Sequence, residues 1–303
     1  MAGRAVRAAA AAIAACAAAG AAAAGEAEAA RWYVQVDNDA FYGTDRWYTS
    51  GVRIARVAQR GGHALEWGLL QEIYTPEAKR INPIDRPPAA RLLATFARHD
   101  RDERAWRTLE VDAGVAGPNA LGRQAQDLVH RVFPAPHEDW SQQRPNRVDV
   151  QAVYADSRTL PLLEEDWERL KANYGAVLGN QLTYAHAGLE WRVGRGAATT
   201  MSSPVLRFAA TPPLAAGDSR EPGWSAFVAA DARDVIRNRL LERRADSPLP
   251  PLQDRRWVGR FSVGVDWIHR CGTVSLAMVI DTREFEGQRR NQGFGSLVLE
   301  LPF

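Results

Sequence analysis

The chain predicts an all-β fold, a transmembrane antiparallel β-barrel of about 12 strands with a short helix in an extracellular loop, and three observations point there. Apolar and polar residues alternate with a period of two through much of residues 31–303. Trp and Tyr stand near the ends of many of these runs, as in an interfacial aromatic girdle. The first thirty residues read as an export leader, which sends the rest of the chain out of the cytoplasm. A secreted β-sandwich or lipocalin-like barrel would show the same strand spacing.

The elements follow in order. Arg4 and Arg7 precede an Ala-rich apolar run through Ala24, and small residues suited to signal peptidase come next, so residues 1–30 are expected to be a signal peptide and 31–303 the barrel domain. Cleavage after Ala24 or Ala29 fits equally, and Ile13-Ala14-Ala15-Cys16 also resembles a lipobox. Trp32-Tyr33-Val34-Gln35-Val36 and Val52-Arg53-Ile54-Ala55-Arg56-Val57 alternate as a first pair of strands. Further runs lie at 64–74, 91–98, 106–115, 147–155, 184–193 and 224–231. The alternation is cleanest near the C-terminus, where Phe261, Val263, Val265 and Trp267 share one face, Val274, Leu276, Met278 and Ile280 another, and Leu297, Leu299, Leu301 and Phe303 a third. An even number of strands closes without exposed edges.

Two stretches break the pattern. Residues 119–133 read as a helix, with Asn119 as N-cap after Gly117-Pro118 and Pro134 and Pro136 ending it. Residues 234–244 have helical composition, but the Pro-rich 247–252 that follow suggest a loop excursion.

Composition narrows the function. Thirty-eight basic against 36 acidic residues, a net charge of +2, argues against a nucleic-acid binder, whose basic excess is larger and clustered. Cys271 is the one cysteine beyond the leader, so no internal disulfide can form despite export. His63, His99, His137, His186 and His269 lack metal-ligand spacing, and there is no G-x-S-x-G elbow or P-loop.

Three clusters carry chemistry. Asp37-Asn38-Asp39-Ala40-Phe41 and Thr44-Asp45-Arg46-Trp47-Tyr48-Thr49-Ser50-Gly51 place carboxylates, an amide and hydroxyls between two strands, an oxygen-rich set suited to a hard cation; a polar hairpin tip has the same composition. Gln126 and His130, four apart, share a helix face, while Leu121, Leu128 and Val129 provide apolar contact elsewhere. Arg86, in Asp85-Arg86-Pro87-Pro88 between two strands, projects a guanidinium towards an anion or pairs with Asp85 in a rigid turn.

Taken in order with Ile73-Tyr74-Thr75-Pro76, Gly117-Pro118-Asn119-Ala120-Leu121-Gly122, Trp140 with Gln143, Leu178-Gly179-Asn180, Gly188-Leu189 and Glu284-Phe285-Glu286-Gly287, these segments resemble the outer-membrane lipid A 3′-O-deacylase family. The resemblance implies a twelve-stranded barrel in the bacterial outer membrane, acting as a monomer on lipid A or lipopolysaccharide and not on nucleic acid. It implies calcium-dependent hydrolysis of the ester-linked 3′-acyloxyacyl chain. His130 would be the base that activates water, Asn38 and Asp39 would form the Ca2+ and oxyanion site, Thr49 would lie beside them, and Arg86 and Gln126 would hold substrate. The family pattern usually reads Arg-Pro-Tyr-Ala-Gly where this chain has Arg86-Pro87-Pro88-Ala89-Ala90, and Asn-Glu-Pro where it has Arg144-Pro145-Asn146. A non-catalytic barrel, or an esterase of the phospholipase A kind, are the other readings of the same scaffold.

Overall fold

A computed structural model describes residues 30–44, 46–60, 63–77, 85–102, 104–132, 138–197 and 222–302. The expected leader up to residue 29 with its Cys16, and Asp45, Phe133, Pro134, Pro136 and Phe303, lie outside the described residues. Ala30, placed at the end of the leader, begins the first strand and stands opposite Ala58.

Twelve antiparallel strands close into a barrel: β1 (Ala30–Asn38), β2 (Trp47–Arg60), β3 (His63–Thr75), β4 (Ala89–Arg101), β5 (Ala105–Ala116), β6 (Arg147–Glu165), β7 (Glu168–Gly179), β8 (Leu182–Val193), β9 (Gly223–Asn238), β10 (Trp257–His269), β11 (Gly272–Asp281) and β12 (Gln292–Pro302). Each pairs with its sequence neighbours, and β1 closes on β12 through Val34 opposite Leu299 and Val36 opposite Leu297. Every predicted strand falls within an observed one, except that Phe303, at the end of the last, lies outside the described residues.

Alternation sorts the two faces. Ile54, Leu69, Phe96, Leu109, Val111, Leu189, Val228 and Phe261 are exposed and form the lipid-facing belt, with Trp224 opposite Trp267 near one rim. The inward positions are buried and charged. Arg53 reaches Glu110 at 2.7 Å and also pairs with Glu66, which in turn binds His99 at 3.0 Å and Tyr33 at 2.8 Å. Arg91 meets Asp149 at 3.0 Å, Arg192 meets Glu190 at 2.8 Å and Asp266, and Arg233 and Arg260 share Asp281 at 2.9 and 2.7 Å. The described interior is therefore filled by cross-strand ion pairs, which suits a plugged lumen more than a water-filled one.

The β2–β3, β4–β5, β6–β7 and β10–β11 turns are short and share one rim. That rim is periplasmic by the usual asymmetry of such barrels, although the β8–β9 connection is long. Asn38, Trp47, Thr75 and Ala89 belong to the opposite, extracellular rim.

The expected helix and the expected loop excursion are both corrected. The single α-helix of the described residues, α1 (Gly122–Val132), starts three residues later than predicted. Pro118–Ala120 forms a 3-10 turn, Leu121 is left-handed (φ 59°), and Asn119 is no N-cap; its N–H instead donates to Asn146 Oδ1 at 2.8 Å. Residues 234–238 continue β9 as strand, because Asp234, Val235, Arg237 and Asn238 face partners on β8, with Ile236 the extra residue of a register shift, and only Arg239–Leu241 forms a 3-10 turn.

Candidate functional site

The site begins with a strand defect. Tyr48 pairs with Tyr74 and points inward, its hydroxyl donating to Asp37 Oδ2 at 3.0 Å. Ser50 pairs with Ile73, so Thr49 is the extra residue of a β-bulge. Ser50 lies opposite Asn38, on the outward face that carries Val36 and Val52. Thr49 reaches that face too, because its Oγ1 lies 2.5 Å from the hydroxyl of Thr75, two residues from outward Ile73. The bulge thus turns two successive hydroxyls outward beside Asn38.

Strain sets the defect in place. Trp47 starts β2 with φ 62°, a left-handed backbone that costs a bulky residue of order 1–3 kcal/mol. Its indole is fully buried and donates Nε1–H to Asp85 Oδ2 at 2.7 Å. Asp85 Oδ1 accepts the backbone N–H groups of Glu77 and Arg86 at 3.0 and 2.8 Å, so one carboxylate ties the β2 start to the chain before β4.

Asn38 and Asp39 follow directly from β1. Asn38 caps the 3-10 turn Asp39–Tyr42, its Oδ1 accepting the Ala40 N–H at 2.8 Å, while its Nδ2 makes no hydrogen bond among the described residues. That leaves an N–H2 donor on the outer face. Asp39 is buried and its Oδ2 accepts the Arg46 N–H at 2.6 Å. For a hard cation the donors fit in kind: a carboxylate and an amide oxygen, with no thiolate or imidazole among them. No group of three or more His, Cys, Asp or Glu side chains gathers as a metal cage among the described residues, so such an ion would also draw on carbonyls and water.

Helix α1 seats on the outside of the same wall. Ala120 and Trp140 pack with Ile73 and Ala90, which are register partners on β3 and β4, and Gln71 donates to the Ala120 carbonyl at 2.6 Å. Gly122 permits the approach: a Cβ there would stand 2.4 Å from Ala90 Cβ and 2.8 Å from the Trp140 ring. Gln126, buried, accepts Trp140 Nε1–H at 2.9 Å and leaves its Nε2 unpartnered. His130, half-buried, lies one turn on along the same face. Leu121, Leu128 and Val129, expected to supply packing, are exposed instead, and the contact with the barrel runs through Ala120 and Ala125.

The register row Asn38–Ser50–Ile73–Ala90 connects the two halves, so Asn38 lies two strand spacings, roughly 10 Å, from the strand under α1. Arg86 stands apart. Its guanidinium lies 4.7 Å from the Tyr74 ring centroid on the lumen side and donates to the Leu240 carbonyl at 3.3 Å; it meets Asp85 only through the backbone. Burial pushes its pKa down, with the Glu284 charge opposing, and Nε and Nη1 have no partner. Trp47, Asp85, Ser50 and Thr75 stand inside the segments singled out in the sequence, but the sequence assigns none of them a place in the site. Their roles depend on a bulge that only the pairing reveals.

A family model described as outer membrane protein LpxR matches residues 8–303. Among solved structures, LpxR from Salmonella typhimurium is similar with a TM-score of 0.79 at 21% identity, covering 90% of this chain and 100% of that one. The NanC porin (TM-score 0.38, 8% identity, 90% and 98% covered) and the translocator domain of NalP from Neisseria meningitidis (0.41, 8%, 92% and 90%) also match. No curated protein matches the chain in sequence.

Proposed function

This chain belongs to the LpxR family, the outer-membrane lipid A 3′-O-deacylases, and from that premise we propose that it hydrolyses the 3′-acyloxyacyl ester of lipid A at the outward face between α1 and the β1–β4 wall. It resides in the bacterial outer membrane. The observation that carries the proposal is the placement of α1: a Gln126–His130 face held against the extracellular end of the barrel's lipid-facing surface, beside outward Asn38 and Thr49. Lipid A presents its acyl esters at that depth of the outer leaflet.

In the proposed reaction neutral His130 takes a proton from water as the oxygen bonds to the ester carbonyl carbon. The carbonyl oxygen becomes an oxyanion, towards which Asn38 Nδ2 donates. The bond from that carbon to the sugar O3 then breaks. The departing oxygen takes the proton from His130, leaving a free hydroxyl and the released acid. Asp39 with Asn38 would hold Ca2+, which when bound supplies Lewis-acid polarisation of the carbonyl. Gln126 orients substrate through its unpartnered Nε2, Thr49 shapes the wall beside Asn38, and Arg86 acts at one remove by tying Leu240 to Tyr74. The chain acts as a monomer, since one copy carries every proposed group.

The test is expression in a host with fully acylated lipid A, followed by mass spectrometry of that lipid. Wild type is expected to remove the 3′ acyloxyacyl chain, and His130→Ala to lose about 10²–10⁴-fold in rate. Intact lipid A alongside correctly inserted wild-type protein, with calcium present, would sink the proposal. Release of fatty acid from phosphatidylethanolamine instead would favour the phospholipase reading.

A further inference from the structure

At the extracellular mouth, on the other side of the β4 start from α1, lies a small pocket open to solvent. Pro88, Ala89, Pro145 and Leu240 form an apolar floor, and Arg144, Arg147 and Arg239 stand around it. Arg144 and Arg239 share one carboxylate, Glu242, at 2.9 and 3.4 Å. Arg147 has no partner among the described residues, so the lining carries three arginines and one carboxylate, an excess of two positive charges. Gln143 also lines the cavity, only 6% exposed, with its Nε2 lacking any hydrogen-bond partner. A buried amide donor left open beside surplus arginine forks is the chemistry of an oxyanion site.

The location selects the ligand. Ala90 packs beneath α1 and its neighbours Pro88 and Ala89 line the cavity, so one strand end separates the two sites. A glycolipid with an acyl ester at α1 extends its saccharide over this rim into water. We propose that the Arg144–Arg147–Arg239 pocket binds a phosphate or carboxylate carried on the saccharide of the lipopolysaccharide cut at α1, which rests on the deacylase reading.

The test uses full-length protein in detergent micelles, with two ligands, lipopolysaccharide and inorganic phosphate, titrated separately into wild type, Arg147→Ala/Arg239→Ala and Gln143→Glu. Both variants are expected to bind lipopolysaccharide roughly tenfold more weakly, and the double variant to raise KM for deacylation with kcat unchanged. Gln143→Glu adds a carboxylate without removing an arginine, so its loss of binding cannot come from a disturbed Glu242 contact. Lipopolysaccharide affinity equal to wild type in both variants overturns the pocket, even where deacylation proceeds. Inorganic phosphate binding lost in the double variant while lipopolysaccharide affinity holds assigns the pocket to free phosphate and equally overturns the proposal. Weaker lipopolysaccharide binding by the variants with no deacylation by any protein upholds the pocket and fails the deacylase reading.

Discussion

Asn38 performs two tasks with the two ends of one amide. Its Oδ1 closes the 3-10 turn by accepting the Ala40 N–H, and its Nδ2 is left to donate outward. Asn38→Asp separates them. An aspartate caps as well as an asparagine, so the turn should persist, but the outward donor becomes a second carboxylate beside Asp39. Removing an oxyanion donor costs about 10²–10³-fold in kcat. Lipid A deacylation by this variant is therefore expected to fall by that order with unchanged far-ultraviolet circular dichroism, and activity within a few-fold of wild type would remove Asn38 from the oxyanion role. The sequence exposed this residue because Asp37-Asn38-Asp39 interrupts an alternating strand. It marked Thr49 as well, but not that Ser50 shares its outward direction, which breaks simple alternation from inward Tyr48 and depends on one inserted residue between Tyr48 and Ser50.

At the scale of elements, the strands were legible and the helix boundary was not. Alternation survives in the strands because one face meets lipid and the other a charged lumen, whereas α1 starts where a left-handed Leu121 and a close contact allow, and neither is written in local propensity. Gly122 is that contact. In Gly122→Ala the new methyl meets Ala90 and the Trp140 ring well inside contact distance, so the helix must lift from the wall. Deacylation is expected to drop more than about tenfold, since small displacements of positioned groups are costly, while heat-modified mobility on SDS gels, which reports the barrel, stays as in wild type. Loss of that mobility would place Gly122 in barrel stability instead. The β11–β12 loop carries a pH response. Burial pushes the Glu284 carboxyl above its ordinary range, against the pull of Arg86. The folded loop thus favours the protonated acid, and its contribution is present at acid pH and lost as pH rises through the raised value. The urea midpoint of the reconstituted protein should fall from mildly acid to neutral pH, and Glu284→Gln should flatten that slope; an equal slope in the variant would show that other groups set it.

For the whole molecule, site and stability occupy opposite faces of one wall. The candidate site uses outward Asn38, Thr49 and the α1 seat, while the inward side of the same strands carries Arg53, Glu66 and Arg91. Inward charges were legible as the polar half of each alternating run; their partners were not, because Arg53 and Glu110 lie 57 residues apart and meet only when the barrel closes. Arg53→Met tests the separation. It leaves Glu66 and Glu110 buried without their shared cation, a loss of about 3–5 kcal/mol for a broken buried pair. Because neither glutamate reaches the outer face, the folded fraction of this variant should still cleave lipid A at the wild-type rate. The expected result is a markedly lower temperature for the gel-mobility transition with kcat per folded molecule unchanged. An unshifted transition would mean that water or a proton replaces the arginine in the lumen, and a lowered kcat would mean that the outward site senses the interior through β2.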